Sequence, residues 1–121
     1  MAILKLKDGR GFEYLDNGIS SDKAILFLHG TPGDATAWSS WLKEIDSVTA
    51  IATSRPGYGL SERNRGRTVA SDLENQSQVL DHFGIKTFVA IGWSGGGPHS
   101  LNMTRDSRCV AAFTLAGVGE Y

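Results

Sequence analysis

One pentapeptide in this 121-residue chain stands out chemically: Gly92-Trp93-Ser94-Gly95-Gly96, which follows the apolar run Thr87-Phe88-Val89-Ala90-Ile91. A Gly-x-Ser-x-Gly sequence between a strand and a helix has the pattern of a nucleophile elbow, a strained turn that raises the serine hydroxyl above a sheet. Gly92 and Gly96 suit that turn, because a Cβ at either position would collide with a neighbouring strand or helix. A serine attacks a carbonyl when a base takes its proton and donors meet the negative oxygen that develops. The backbone N–H of Gly95 is one such donor. The second has to come from another strand end, and Thr31 is the candidate, within His29-Gly30-Thr31-Pro32-Gly33 after the apolar run Ala24 to Leu28. The expected chemistry is hydrolysis of an ester or amide of a small molecule through an acyl-enzyme on Ser94, with no metal and no cofactor.

Those residues need a frame. Ala24–Leu28, Val48–Thr53, Thr87–Ile91 and Val110–Leu115 are apolar or β-branched runs of the kind that form strands buried on both faces. Between them, Ala37, Trp38, Trp41, Leu42 and Ile45 fall at helical spacing. Val69, Leu73, Leu80 and Phe83 share one helical face, with Thr68 or Ser71 as N-cap and Gly84 placed to end the helix. A third helix is expected from Gly95 to about Arg105. Strands alternating with helices predict a three-layer α/β domain, a mostly parallel sheet with helices on both faces. Ile3, Leu4 and Leu6, then Phe12, Tyr14 and Leu15, flank a Gly-containing turn and predict an antiparallel N-terminal hairpin. Such sheets carry their functional groups at the carboxyl ends of the strands, and a third glycine-bearing end is Arg55-Pro56-Gly57-Tyr58-Gly59.

Composition narrows the function. Twelve basic against thirteen acidic side chains, net −1, argue against a nucleic-acid or anionic-membrane partner. No apolar run nears the roughly 20 residues of a membrane span. The lone Cys109 makes no intrachain disulfide, and no His/Cys cluster has zinc-ligand spacing, so the expected setting is cytoplasmic. Met1 to Arg10 alternates apolar and charged residues, unlike a signal peptide.

Taken in order, His29-Gly30-Thr31-Pro32-Gly33, Arg55-Pro56-Gly57-Tyr58-Gly59-Leu60-Ser61 and Gly92-Trp93-Ser94-Gly95-Gly96 resemble the first half of an α/β-hydrolase, proline-iminopeptidase-like and esterase-like serine hydrolases above all. The resemblance implies Ser94 as nucleophile, the Thr31 and Gly95 N–H groups as oxyanion hole, and His29, Gly30, Gly92, Trp93 and Gly96 in support. Epoxide hydrolases and dehalogenases resemble the chain less, since they carry Asp where Ser94 stands. Many relatives also place an acid where this chain has Ser54, which puts that anchor in doubt.

The family order is nucleophile, acid, then histidine, yet only His99, Asp106 and Glu120 follow Ser94. His99 is expected to point away from the strand tops, His29 to hydrogen-bond loop backbone, and His82 to lie on the surface. The chain therefore reads as a single partial domain over residues 1–121, with the lid and the strands bearing acid and base absent. The alternative is a catalytically incomplete fragment or non-catalytic scaffold of the same fold. Val110–Leu115 would be an unpaired apolar edge, to be covered by a second copy or a complementing chain. Trp38 and Trp41 are expected in core and cleft wall, Trp93 either in an acyl pocket or under the elbow, and Arg63, Arg65 and Arg67 in solvent, the alternative being that they attract an anionic substrate. A dinucleotide-binding module is the remote competitor, because Gly92-x-Ser94-x-x-Gly97 is one substitution from its glycine fingerprint.

Overall fold

The computed structural model describes residues 2–115. Its middle strand, β3 (Lys23–Leu28), alternates its side chains between two cores: Ala24, Leu26 and Leu28 face one, Ile25 and Phe27 the other. That two-sided burial is what an unbroken apolar run predicts. The other strands are β1 (Ala2–Lys5), β2 (Gly11–Asp16), β4 (Thr49–Thr53), β5 (Thr87–Trp93) and β6 (Cys109–Leu115), in sheet order β1-β2-β4-β3-β5-β6. β1 and β2 form the antiparallel hairpin, β2 runs antiparallel to β4, and the remaining pairs are parallel.

Helices α1 (Ser39–Glu44), α2 (Asp72–His82) and α3 (Gly97–Asn102) cover both faces. The larger core lies under α2 and α3, where Val79, Leu80, Ile85 and Met103 meet Phe12, Leu26 and Phe88. Each such side chain contributes roughly 1.5–3 kcal/mol by leaving water. The smaller core gathers Trp38 and Leu42 against Phe27, Ala50 and Ala52, with the Trp38 and Phe27 rings 4.7 Å apart. α1 and the turn before it pack on β2, β4 and β3. The β5–β6 half of that face leaves Trp93 and Phe113 about half exposed.

Several boundaries differ from expectation for local reasons. The helix after His29–Gly33 splits into a 3-10 turn, Ala35–Trp38, capped by the Asp34 carboxylate on the Thr36 N–H at 2.9 Å, and then α1. α2 starts at Asp72 with Ser71 at the N-cap, one of the two residues expected there; its side chain does not bond the first turn of the helix, because Thr68 and Ser71 bind each other across a preceding turn, N–H to Oγ in both directions at 2.9 and 3.0 Å. Val69 consequently sits exposed in that turn. Gly84 ends α2 as predicted, at φ +67°, with its N–H on Asp81 O and the Ile85 N–H on Leu80 O. β5 continues two residues past Ile91, so that Gly92 pairs with Thr114 and Trp93 with Leu115. The third helix is α-helical for six residues, Gly97–Asn102, between two 3-10 turns; the poor helix formers Gly95 and Gly96 fall in the first of these, and Pro98 sits in the first turn of the α-helix, where a missing N–H is tolerated. β6 is the edge strand, bulged at Val110, and pairs on one side with β5.

Candidate active site

At the top of β5 the chain turns on Ser94, whose φ of +47° makes it the one described non-glycine residue in the left-handed region. That conformation costs an L-residue about 1–2 kcal/mol and holds only where packing enforces it. The enforcement is visible in the glycines. A Cβ on Gly92 would overlap the Gly96 carbonyl, and one on Gly96 would come within 2.6 Å of His29 O. Strand, elbow and the end of β3 are thus in backbone contact.

The same closeness brings the two expected donor segments together. A Cβ on Gly30 would stand 2.9 Å from Trp93 Cδ1 and 3.5 Å from Ser94 Cβ, and one on Gly95 would stand 3.3 Å from Thr31 N. The Thr31 N–H meets no hydrogen-bond partner among the described residues, and neither does Ser94 Oγ.

The loop carrying Thr31 is held from the next strand by Arg55, a residue that sequence reasoning left as part of a turn motif. Arg55 is buried and donates from its guanidinium to His29 O and, at 2.9 Å, to Thr31 Oγ1. Its backbone N–H donates to His29 Nε2 at 3.0 Å, which leaves His29 Nδ1–H to donate to Gly30 O at 2.7 Å. Burial and the neighbouring Arg55 charge bring the His29 pKa down to about 4, so the ring is neutral with both nitrogens engaged. His29 is a loop brace, as anticipated. The Tyr58 ring lies edge-on to His29 at 5.2 Å and 5.6 Å from the Arg55 guanidinium carbon. Burial also lowers the Arg55 pKa.

Ser54 keeps its anchoring role through a partner invisible in the motif. Its hydroxyl donates to Glu13 Oε1 at 2.7 Å and accepts the Ala35 N–H at 2.9 Å. Glu13, in β2, is buried and also accepts the Leu60 N–H at 3.3 Å. A carboxylate thus reaches the Ser54 hydroxyl from another strand.

None of the three histidines hydrogen-bonds Ser94. His99 Nδ1 pairs with Asp72 Oδ2 at 3.0 Å, joining α3 to the start of α2. Burial alone would raise the Asp72 pKa, but hydrogen bonds from His99, Gln76 and Asn75 outweigh it and hold the carboxyl below its ordinary value. His82 is exposed beside Tyr14. Asp106 is tied to Arg108 at 2.7 Å, which with its other hydrogen bonds lowers its pKa to about 2, and Glu120 lies outside the described residues. Trp38 is core, whereas the half-exposed Trp41 and Trp93 join it and Ala37 around an apolar recess of about 220 Å³. Trp93 thus walls a recess and does not pack beneath the elbow.

Residues 23–118 match the model of the alpha/beta hydrolase fold family, and the chain belongs to that family. It is 30% identical over 95 residues to the uncharacterized hydrolase YcgS of Bacillus subtilis (strain 168), covering 78% of this chain and 33% of that protein. Haloalkane dehalogenase 2 of Mycobacterium tuberculosis (strain ATCC 25618 / H37Rv) is likewise 30% identical over 95 residues, 73% of this chain and 31% of the dehalogenase. Among solved structures, a thermophilic esterase from Thermogutta terrifontis superposes with a TM-score of 0.85 at 22% identity, over 97% of this chain and 46% of the esterase. The epoxide hydrolase CorEH gives 0.83 at 21%, over 98% and 42%. The chain spans about a third of the length of those curated relatives and under half of those structures. Esterase, dehalogenase and epoxide hydrolase are all similar to it, so overall likeness does not discriminate among their chemistries. Among the described residues no helix is long and apolar enough to cross a membrane.

Proposed function

We propose that this chain supplies the nucleophile and oxyanion half of a serine hydrolase acting on an ester or amide of a small molecule. The observation that carries the reading is Ser94, strained at φ +47° on the tip of β5 with the Gly95 and Thr31 backbones against each other beside it. In that reading Ser94 Oγ bonds to the substrate carbonyl carbon while a base takes its proton. The carbonyl oxygen becomes an anion between the Thr31 and Gly95 N–H groups, each worth about 2.7–4 kcal/mol in the transition state. Collapse breaks the bond to the alcohol or amine, which leaves with the proton, and water then releases the acyl group from Ser94.

The base and its orienting acid belong, on this reading, to residues beyond these 121, in later strands or in a complementing chain. All three histidines are engaged elsewhere. The one-sided pairing of β6 and the exposure of Trp93, Val110 and Phe113 support a sheet that continues past β6. A serine at position 94 favours esterase or aminopeptidase chemistry over the carboxylate nucleophile of dehalogenases and epoxide hydrolases. With the family shown, the dinucleotide-binding reading is set aside. A cytoplasmic location goes with the proposal, since Cys109 is free and burial keeps its thiol protonated.

The second reading, a non-catalytic scaffold, draws on the unoccupied base position. Turnover of a panel of p-nitrophenyl esters and amino-acid p-nitroanilides by the native protein separates the two. The proposal expects hydrolysis that Ser94→Ala abolishes, and an intact mass raised by one acyl group. A folded protein with no turnover and no mass increase supports the scaffold.

A further inference from the structure

Seven arginines occur in the chain, and they divide sharply. Arg10 and Arg108 form ion pairs, and Arg105 donates to Asn102. Arg55, Arg63, Arg65 and Arg67 form no ion pair among the described residues, although they crowd into one thirteen-residue stretch. The single acid in that stretch, Glu62, is turned away onto the Gly11 N–H at 3.0 Å. A protein of net charge −1 therefore carries a local excess of three positive charges beside its oxyanion loop.

Arg63, Arg65 and Arg67 line a shaped recess, with Arg55 buried behind it. Pro56, Gly57 and Tyr58 form one wall, Arg63 to Arg67 the other, and the space between is about 840 Å³. Turns hold both walls: the Tyr58 N–H donates to Arg55 O, the Gly57 N–H to Ser61 O, and the Arg67 N–H to Asn64 O. The Tyr58 ring is flanked by two guanidiniums, Arg55 at 5.6 Å and Arg67 at 5.5 Å. The Asp72 carboxylate attracts Arg55, but among the described residues no carboxylate pairs with Arg63, Arg65 or Arg67. Like charges so held repel, and a bound anion relieves that repulsion; planar guanidinium forks suit carboxylate and phosphate oxygens.

We propose that this recess binds a small oxyanion, a carboxylate or phosphate group, and that the substrate of the Ser94 site carries such a group. The second half rests on the reading of Ser94 given above; the first does not. The recess adjoins the oxyanion loop through Arg55, whose guanidinium also reaches Thr31 Oγ1. An anionic substituent held at Tyr58 and Arg67 would anchor a substrate whose carbonyl lies toward Ser94.

The test is an amide NMR titration of the Ser94→Ala protein with succinate, with inorganic phosphate, and with succinamide as the neutral control at matched ionic strength. Expected are saturable shifts at Gly57, Tyr58 and Asn64–Arg67 with one or both anions and none with succinamide, and binding at least tenfold weaker in Arg63→Gln/Arg65→Gln/Arg67→Gln. These side chains are exposed, so the unchanged remainder of that variant's spectrum verifies its fold. Which anion binds more tightly assigns the group. Equal shifts with chloride, or shifts that survive the triple variant, overturn the proposal. In the active protein, kcat/KM for p-nitrophenyl hemisuccinate should exceed that for p-nitrophenyl propionate, and the triple variant should erase the difference. Anion binding without any hydrolysis would overturn the Ser94 reading while leaving the recess intact.

Discussion

Replacing Ser94 with glycine should stabilise the protein while abolishing its reactivity, and the size of the effect follows from one angle. At φ +47° a side chain with a Cβ costs about 1–2 kcal/mol, whereas glycine takes that conformation freely. Glycine loses about 0.5–1 kcal/mol more backbone entropy on folding, so the net gain is roughly 0.5–1 kcal/mol. The hydroxyl offsets little of this, because Ser94 Oγ has no hydrogen-bond partner among the described residues. Ser94→Ala keeps the Cβ and hence the strain. In a domain of this size 1 kcal/mol moves the melting temperature by about 4 °C, so Ser94→Gly should melt about 2–4 °C above both wild type and Ser94→Ala. Urea denaturation of the three proteins measures the same ranking as free energy. If Ser94→Gly proves no more stable than Ser94→Ala, the elbow is not strained and the argument for a serine held in place for chemistry fails.

Gly92→Ala, which forces a Cβ into the Gly96 carbonyl, should cost about 3 kcal/mol by urea denaturation, against about 1 kcal/mol for Gly84→Ala, where the space is open. His29 makes stability pH-dependent. Its pKa is about 4 folded against 6.5 unfolded, so the unfolded chain binds the extra proton and stability falls as pH drops from 6.5 to 4, by about 3 kcal/mol in all. The difference in unfolding free energy between pH 7 and pH 4.5 should therefore shrink in His29→Gln. Ser54→Ala should cost about 1–3 kcal/mol by orphaning the Ala35 N–H and leaving Glu13 Oε1 with the Leu60 N–H as its remaining donor. Ser54→Asp, which sets a second carboxylate against buried Glu13, should cost more, and adding Glu13→Gln should recover part of the loss in a urea melt.

The elbow was legible because its chemistry leaves so few residue choices: Gly92 and Gly96 touch backbone, and no larger residue fits. The parallel strands were legible because Ala24–Leu28 and Thr87–Ile91 are apolar without interruption. Arg55 and Glu13 were not. Each acts across the sheet, Arg55 on residues 24 and 26 positions earlier and Glu13 on Ser54, 41 positions later, and no local pattern reports such pairings. The start of α2 was legible as well, since Ser71 stands at its N-cap; the side-chain partner was not, because Thr68 and Ser71 bind each other and leave the first turn unbonded. In the helix after the elbow, local propensity shows at the start: Gly95 and Gly96 fall in a 3-10 turn, and the α-helix begins at Gly97 with Pro98 in its first turn.

The central claim, that Ser94 is an activated nucleophile, is tested most directly by treating the native protein with a fluorophosphonate and locating the adduct by mass spectrometry. The account predicts a single phosphonyl group on the tryptic peptide spanning residues 87–105, at Ser94, and no adduct in Ser94→Ala. A folded native protein that remains unlabelled, or is labelled elsewhere, would contradict it.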